Sequence, residues 1–211
     1  IDPLREIAKQ PRVAAIGEIG LDYHHLPSVD MEHPFQDIYR MEVAQDPNAL
    51  TGELADQAYK NGQKIAFEMQ LDLAVELGLN VVIHQRDAWE DTLEILSNYT
   101  GKFRAVFHCF GGTQEQASEI LEMGHLVSFT GIVTFKNAQQ VRDTALTIPS
   151  GRFMVETDCP YLAPMPYRGK RCEPAYTRLV AEKLAEVRKE DFDSICNNTT
   201  QTAEDFFRLN G

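Results

Sequence analysis

A chain of 211 residues, 43% of them hydrophobic, carries enough apolar side chain for one sizeable core, so a single domain over 1–211 is expected. Twenty basic residues against 32 acidic ones leave a net charge of −12, which makes the chain a poor general binder of polyanions, because affinity for nucleic acid grows with the phosphates neutralised, and leaves room only for a small contact with local positive charge or metal ions. No apolar run reaches the ~18 residues of a membrane span, and four dispersed cysteines without a CxxC pair suit reduced thiols in a cytoplasmic protein.

The chain opens on "IDPLREIAKQP", a short helix in which Asp2 is placed to cap and Pro3 suits the first turn. A strand follows at 13–17 ("VAAIG"). Residues 24–62 then interrupt the pattern with a long, polar, proline-containing stretch, which reads as an insertion loop at the mouth of a site. Phe67, Leu71, Ala74 and Val75 share the face of a helix over 63–77, closed by Gly78. Strands at 80–83, 105–107, 126–129 and 153–155 alternate with further helices. One spans 88–99. The next is opened by a Thr113–Gln116 capping box and ended by Gly124. Another is capped by Asn137 and stops near Pro149, a fourth opens at Pro174, and an amphipathic piece at about 199–209 completes the chain.

Strand, helix, strand, helix predicts a parallel sheet with helical crossovers. The strands are short and apolar throughout, as when both faces are buried. A doubly wound sheet and a (β/α)8 barrel both fit, although no GxGxxG follows the first strand to support the dinucleotide-binding form of the former.

Four of the five strands end in metal-ligand residue types: Glu18, His84, His108, and the pair Glu156 and Asp158. In a parallel sheet these ends converge on one face. Carboxylates and two imidazoles in an apolar mouth call for a compensating cation. A mixed nitrogen and oxygen set suits Zn, Mn, Co or Fe, and a shared carboxylate allows two ions ~3.5–4 Å apart. Arg86, two residues beyond His84, and Arg171, in the basic loop "PYRGKRCEP", are placed to grip phosphate. His33 and His125 read as surface residues, Asp22 as a partner of the ligands, and Cys109 as a small buried thiol turned away from the pocket.

The stretches "VAAIGEIGLDYH", "QKIAFEMQLDLAVELGLNVVIHQRDAWEDTLEIL", "AVFHCFGGTQEQASEILEMG", "VSFTGIVTFKNA", "MVETDCPYLAPMPYRGKRCEPAY" and "NTTQTAEDFFRL" occur in an order that resembles the TatD family of metal-dependent deoxyribonucleases. The resemblance implies a (β/α)8 TIM barrel of the metallo-dependent hydrolase type, here represented by about five of eight units. It implies hydrolysis of DNA phosphodiesters, as a 3′→5′ exonuclease on single-stranded or 3′ ends, with two divalent ions (Mg or Mn, with Zn an option). By the same resemblance Glu18 bridges the ions, His84 and His108 hold one, and Asp158 holds the other. The family's opening strand carries a His-x-His, which is absent here. The expectation is therefore a portion of a longer barrel, the alternative being a truncated paralogue. Two other activities stay open: hydrolysis of an ester or amide such as aminoacyl-tRNA, and a catalytically impaired barrel acting as a binding module.

Overall fold

The computed structural model describes residues 1–28 and 52–209. Five parallel strands, β1 (Ala15–Asp22), β2 (Asn80–Arg86), β3 (Ala105–Phe107), β4 (Leu126–Phe129) and β5 (Phe153–Val155), lie side by side in chain order. The described helices are α1 (Asp2–Ala8), α2 (Glu53–Leu77), α3 (Trp89–Ser97), α4 (Gln114–Glu122), α5 (Gln139–Thr147), α6 (Thr177–Arg188) and α7 (Phe192–Phe207).

Alternation along the strands divides the sheet into two faces. Val81, Ile83, Phe107, Val127, Phe129 and Phe153 point one way, into a core shared with Phe67 and Leu71 of α2 and Leu184 of α6. Burying each of these large side chains contributes about 2–3 kcal/mol. Val82, Val106, Leu126 and Met154 form a smaller cluster with Phe206 of α7. His84 and Ser128 follow Val82 and Leu126 two residues along, so they share that second face nearer the C-terminal strand ends.

Several expected boundaries move. α2 begins at Glu53, so 53–62 is helix and not loop. Its polar residues are the outward turns of a helix that buries only Ala55 in that part. Residues 29–51 of the expected 24–62 insertion lie outside the described residues. Asp2 does not cap α1: it sits inside the first turn and pairs with Arg5, which also reaches Glu76 of α2 at 3.1 Å. The capping box of Thr113 and Gln116 is present. Asn137 does not cap α5, because the chain first turns from Phe135 to Ala138 and the N-cap falls on Ala138. Pro174 opens a single 3₁₀ turn before α6. α7 starts earlier than 199, capped by Asp191. Its polar stretch had hidden it: the hydroxyls of Thr199 and Thr202 donate to the carbonyls of Ile195 and Asn198, which lets both residues be buried in the helix.

Candidate metal centre

β1 does not stop at Glu18. It continues through Ile19 to Asp22, and its pairing with β2 slips on the way. Ile16 pairs with Val81 and Ile19 with Ile83, so Gly17 and Glu18 together stand opposite Val82 alone. Such a bulge adds one residue to one strand and re-aims the side chains beyond it. Plain alternation would leave Glu18 on the face of Ile16, under the helices. The extra residue carries it to the face of Val82 and His84. Gly20 is required directly after the bulge: its φ is +146°, and a Cβ there would collide with the carbonyl oxygen of His84.

Glu18 Oε1 lies 3.1 Å from His84 Nδ1 and in direct contact with His108 Nε2. The two imidazoles face each other, His84 Nδ1 to His108 Nε2, at 3.1 Å. One ligand atom from each of the three residues lies within 4.8 Å of the others. His84 Nε2 is buried without a hydrogen bond among the described residues; Asp22 Oδ2, at 3.5 Å, is outside hydrogen-bond geometry. Two ring nitrogens and a carboxylate oxygen are thus turned toward one point. They fit a divalent cation, and the donor set matches the mixed nitrogen and oxygen preference of Zn, Mn and Fe.

The charges of the cluster are set by these contacts. Hydrogen bonds from His108 and His84 outweigh burial and hold the Glu18 carboxyl down to about 2. Burial opposes the charged form of His108, but the Glu18 bond and the fields of Glu156 and Asp158 overcome it, and its pKa is raised. Asp158 is pushed up, by burial first.

Glu156 is the residue whose part the strand-end pattern left unassigned. Its Oε1 accepts from the Cys109 backbone N–H at 2.7 Å and from the Ser128 hydroxyl, and lies 3.8 Å from His108 Nδ1. It braces the loop that carries His108. Its signal in the sequence was the spacing from Asp158, two residues on.

His84, Arg86, His108 and Asp158 line one cavity of about 680 Å³. Arg86 Nη1 stands 3.4 Å from His25 Nε2. Arg171 is exposed in its loop and does not line this cavity. Cys109 does line it, because β3 ends at Phe107 and Cys109 takes a φ of +49°, so alternation no longer governs its direction. Burial nevertheless pushes its thiol up to about 12, with Thr130 Oγ1 at 3.3 Å, which disfavours the thiolate. His24 pairs with Asp87 at 2.9 Å. His125 is buried, not at the surface: its Nδ1 accepts from Ala105 N–H at 3.2 Å and its ring stacks on Phe103. His33 lies outside the described residues.

The chain is similar to known proteins. The chain is 38% identical over 208 residues to an uncharacterized metal-dependent hydrolase, YabD, of Bacillus subtilis, covering 98% of this chain and 70% of that protein. It is 32% identical over 212 residues to the 3′-5′ ssDNA/RNA exonuclease TatD of Erwinia tasmaniensis, covering 98% of this chain and 70% of that protein. In fold it matches the crystal structure of YjjV, a TatD homologue of Escherichia coli, with a TM-score of 0.77 over 98% of this chain and 69% of that one, at 23% identity. These neighbours place the five-stranded parallel sheet in a TIM-barrel fold. The family model of the TatD-related DNases matches residues 1–208, and the chain belongs to that family of metal-dependent hydrolases.

Proposed function

We propose that the protein is a divalent-metal-dependent phosphodiesterase that removes nucleotides from the 3′ end of single-stranded DNA, as one barrel domain in the cytoplasm. The observation that carries this is the convergence of Glu18, His84 and His108, two of which line a cavity that also presents Asp158 and Arg86. The exonuclease named among its relatives supports the substrate class. The four free thiols suit a reducing compartment.

Glu18, His84 and His108 would hold one ion, and Asp158 with Glu18 a second, Mg or Mn in use and Zn an option. Bound there, divalent ions polarise the phosphoryl oxygen and acidify water. Glu18 stays ionised at every working pH and so keeps its negative oxygen available. Asp158 orients the attacking water and takes its proton on a carboxylate oxygen. Arg86 offers its two-pronged guanidinium to the scissile phosphate, and Arg171 meets the next phosphate outside the cavity.

The test is release of mononucleotides from 3′-labelled single-stranded DNA in Mg or Mn, against a Glu18→Gln control. Cleavage by the wild type that is at least ~100-fold slower in Glu18→Gln, with weaker metal binding by calorimetry, is expected. A wild type as inert as the control overturns the proposal. Turnover of an aminoacyl-tRNA ester in its place moves the site to carbonyl chemistry, and a protein that binds no divalent ion and is inert on both substrates in Mg or Mn is reduced to a binding module.

A further inference from the structure

The cavity has a second wall that the metal-ligand residues do not explain. Phe110, Ile132, Tyr161 and Leu162 line the cavity together with the polar cluster. Phe110 is buried, whereas Tyr161 stands 69% exposed at the mouth. A tyrosine this exposed has no part in the core. Among the described residues its hydroxyl makes no hydrogen bond and its ring no ring contact.

Its position is nonetheless fixed. The Tyr161 backbone N–H donates to the Asp158 carbonyl at 2.7 Å, so one turn carries the carboxylate at its first residue and the aromatic at its fourth. The Cys172 N–H donates to the Pro160 carbonyl at 2.9 Å, and the Met165 N–H to Thr134 Oγ1 at 2.8 Å. From the other side, Gly131 lets the loop come close: a Cβ there would fall inside the carbonyl oxygen of Leu162 and within 2.9 Å of Pro164 N. Leu162 itself takes a φ of +56°. A braced backbone thus carries an exposed aromatic ring in the same cavity as Arg86 and Asp158.

From this arrangement we infer that Tyr161 is the stacking platform for a nucleobase of the substrate. The base belongs to the nucleotide whose phosphate is held by the metal-centre residues. This rests on the phosphodiesterase reading above and names what grips the other end of the nucleotide. The charge balance gives the reason for such a platform. At −12, the chain cannot gain much affinity for a polyanion from phosphate contacts. Stacking supplies affinity without charge, and every base has a face to offer, so it serves an enzyme that must step through any sequence. An offset aromatic wall and a phosphate-binding cluster in one cavity fit a nucleotide better than an extended peptide or an acyl chain, neither of which fills both.

The experiment combines kinetics and binding. Tyr161→Ala is expected to raise KM for a single-stranded oligonucleotide about 5- to 100-fold, and Tyr161→Phe to restore it to within about twofold. An oligonucleotide abasic at its 3′ residue is expected to lose the same factor with the wild type. Both changes together should cost no more than either alone, because they remove one interaction. Additive losses, or an Ala variant that leaves KM for the intact oligonucleotide within twofold of the wild type, overturn the assignment. A second readout needs no turnover: 2-aminopurine at the 3′ position should be quenched when bound by the wild type and by Tyr161→Phe, and not by Tyr161→Ala. Quenching with this dependence in a protein that cleaves no DNA keeps the platform and removes the phosphodiesterase. Cleavage without quenching does the reverse.

Discussion

Single residues here carry charges that their surroundings reset. His125 is the clearest case away from the cavity. Burial, then the fields of Arg152 and Arg104, hold its pKa down to about 4. The unfolded chain takes up that proton near pH 6.5. Below pH 6.5 the unfolded state therefore binds more protons than the folded one, and stability falls as pH drops from 6.5 toward 4. Above 6.5 the residue contributes nothing to pH dependence. The expected loss from pH 7 to pH 5 is about 2 kcal/mol, read from urea unfolding at the two pH values. His125→Asn keeps an acceptor for the Ala105 N–H and removes the titration, so its stability should change with pH by about 2 kcal/mol less. Equal losses in both proteins would show that another group sets the acid sensitivity.

At the level of elements, the decisive device is the bulge in β1. Gly20→Ala is expected to cost at least ~3 kcal/mol in chemical unfolding, since both the backbone angle and the approach to His84 forbid a side chain. Weakened metal binding should accompany the loss, because His84 must move. An Ala at Gly20 that folds as stably as wild type would contradict the slipped pairing of β1 with β2. Thr113→Ala gives the scale of an ordinary capping loss, about 1 kcal/mol by the same measurement. The sequence made the five strands plain, because short apolar runs between helical periods have few other interpretations. It also made plain that Glu18, His84 and His108 meet. It did not show how Glu18 reaches them: strand-end logic arrived at Glu18 by treating β1 as finished at 18, when in fact the strand runs on to Asp22 and turns its face by one extra residue. Bulges leave no composition signal beyond their glycines. The earlier start of α7 was hidden for a different reason, since threonines bonded to their own helix look like loop until the turn that satisfies them is seen.

For the whole molecule, charge is the governing quantity. Phosphate contacts limited to Arg86 and Arg171 predict a shallow salt dependence, with the logarithm of the binding constant for single-stranded DNA falling by about 1.4 per decade of monovalent salt at fixed divalent ion. A slope steeper than about −3 would reveal a basic surface that the balance of −12 argues against. On the proposed reading the same balance divides the work of binding: cations and two arginines would address the backbone, and the apolar residues of the cavity the base.

Gly131 draws these scales together. It is assigned neither phosphate nor base, and its contribution is the room it leaves for Leu162 and Pro164. In a library holding every substitution at this position, selection for exonuclease activity should leave glycine almost alone, while Tyr161, the proposed stacking platform, should accept Phe and Trp. Tolerance to mutation would then run opposite to proximity, with the more distant of the two positions the less free to drift.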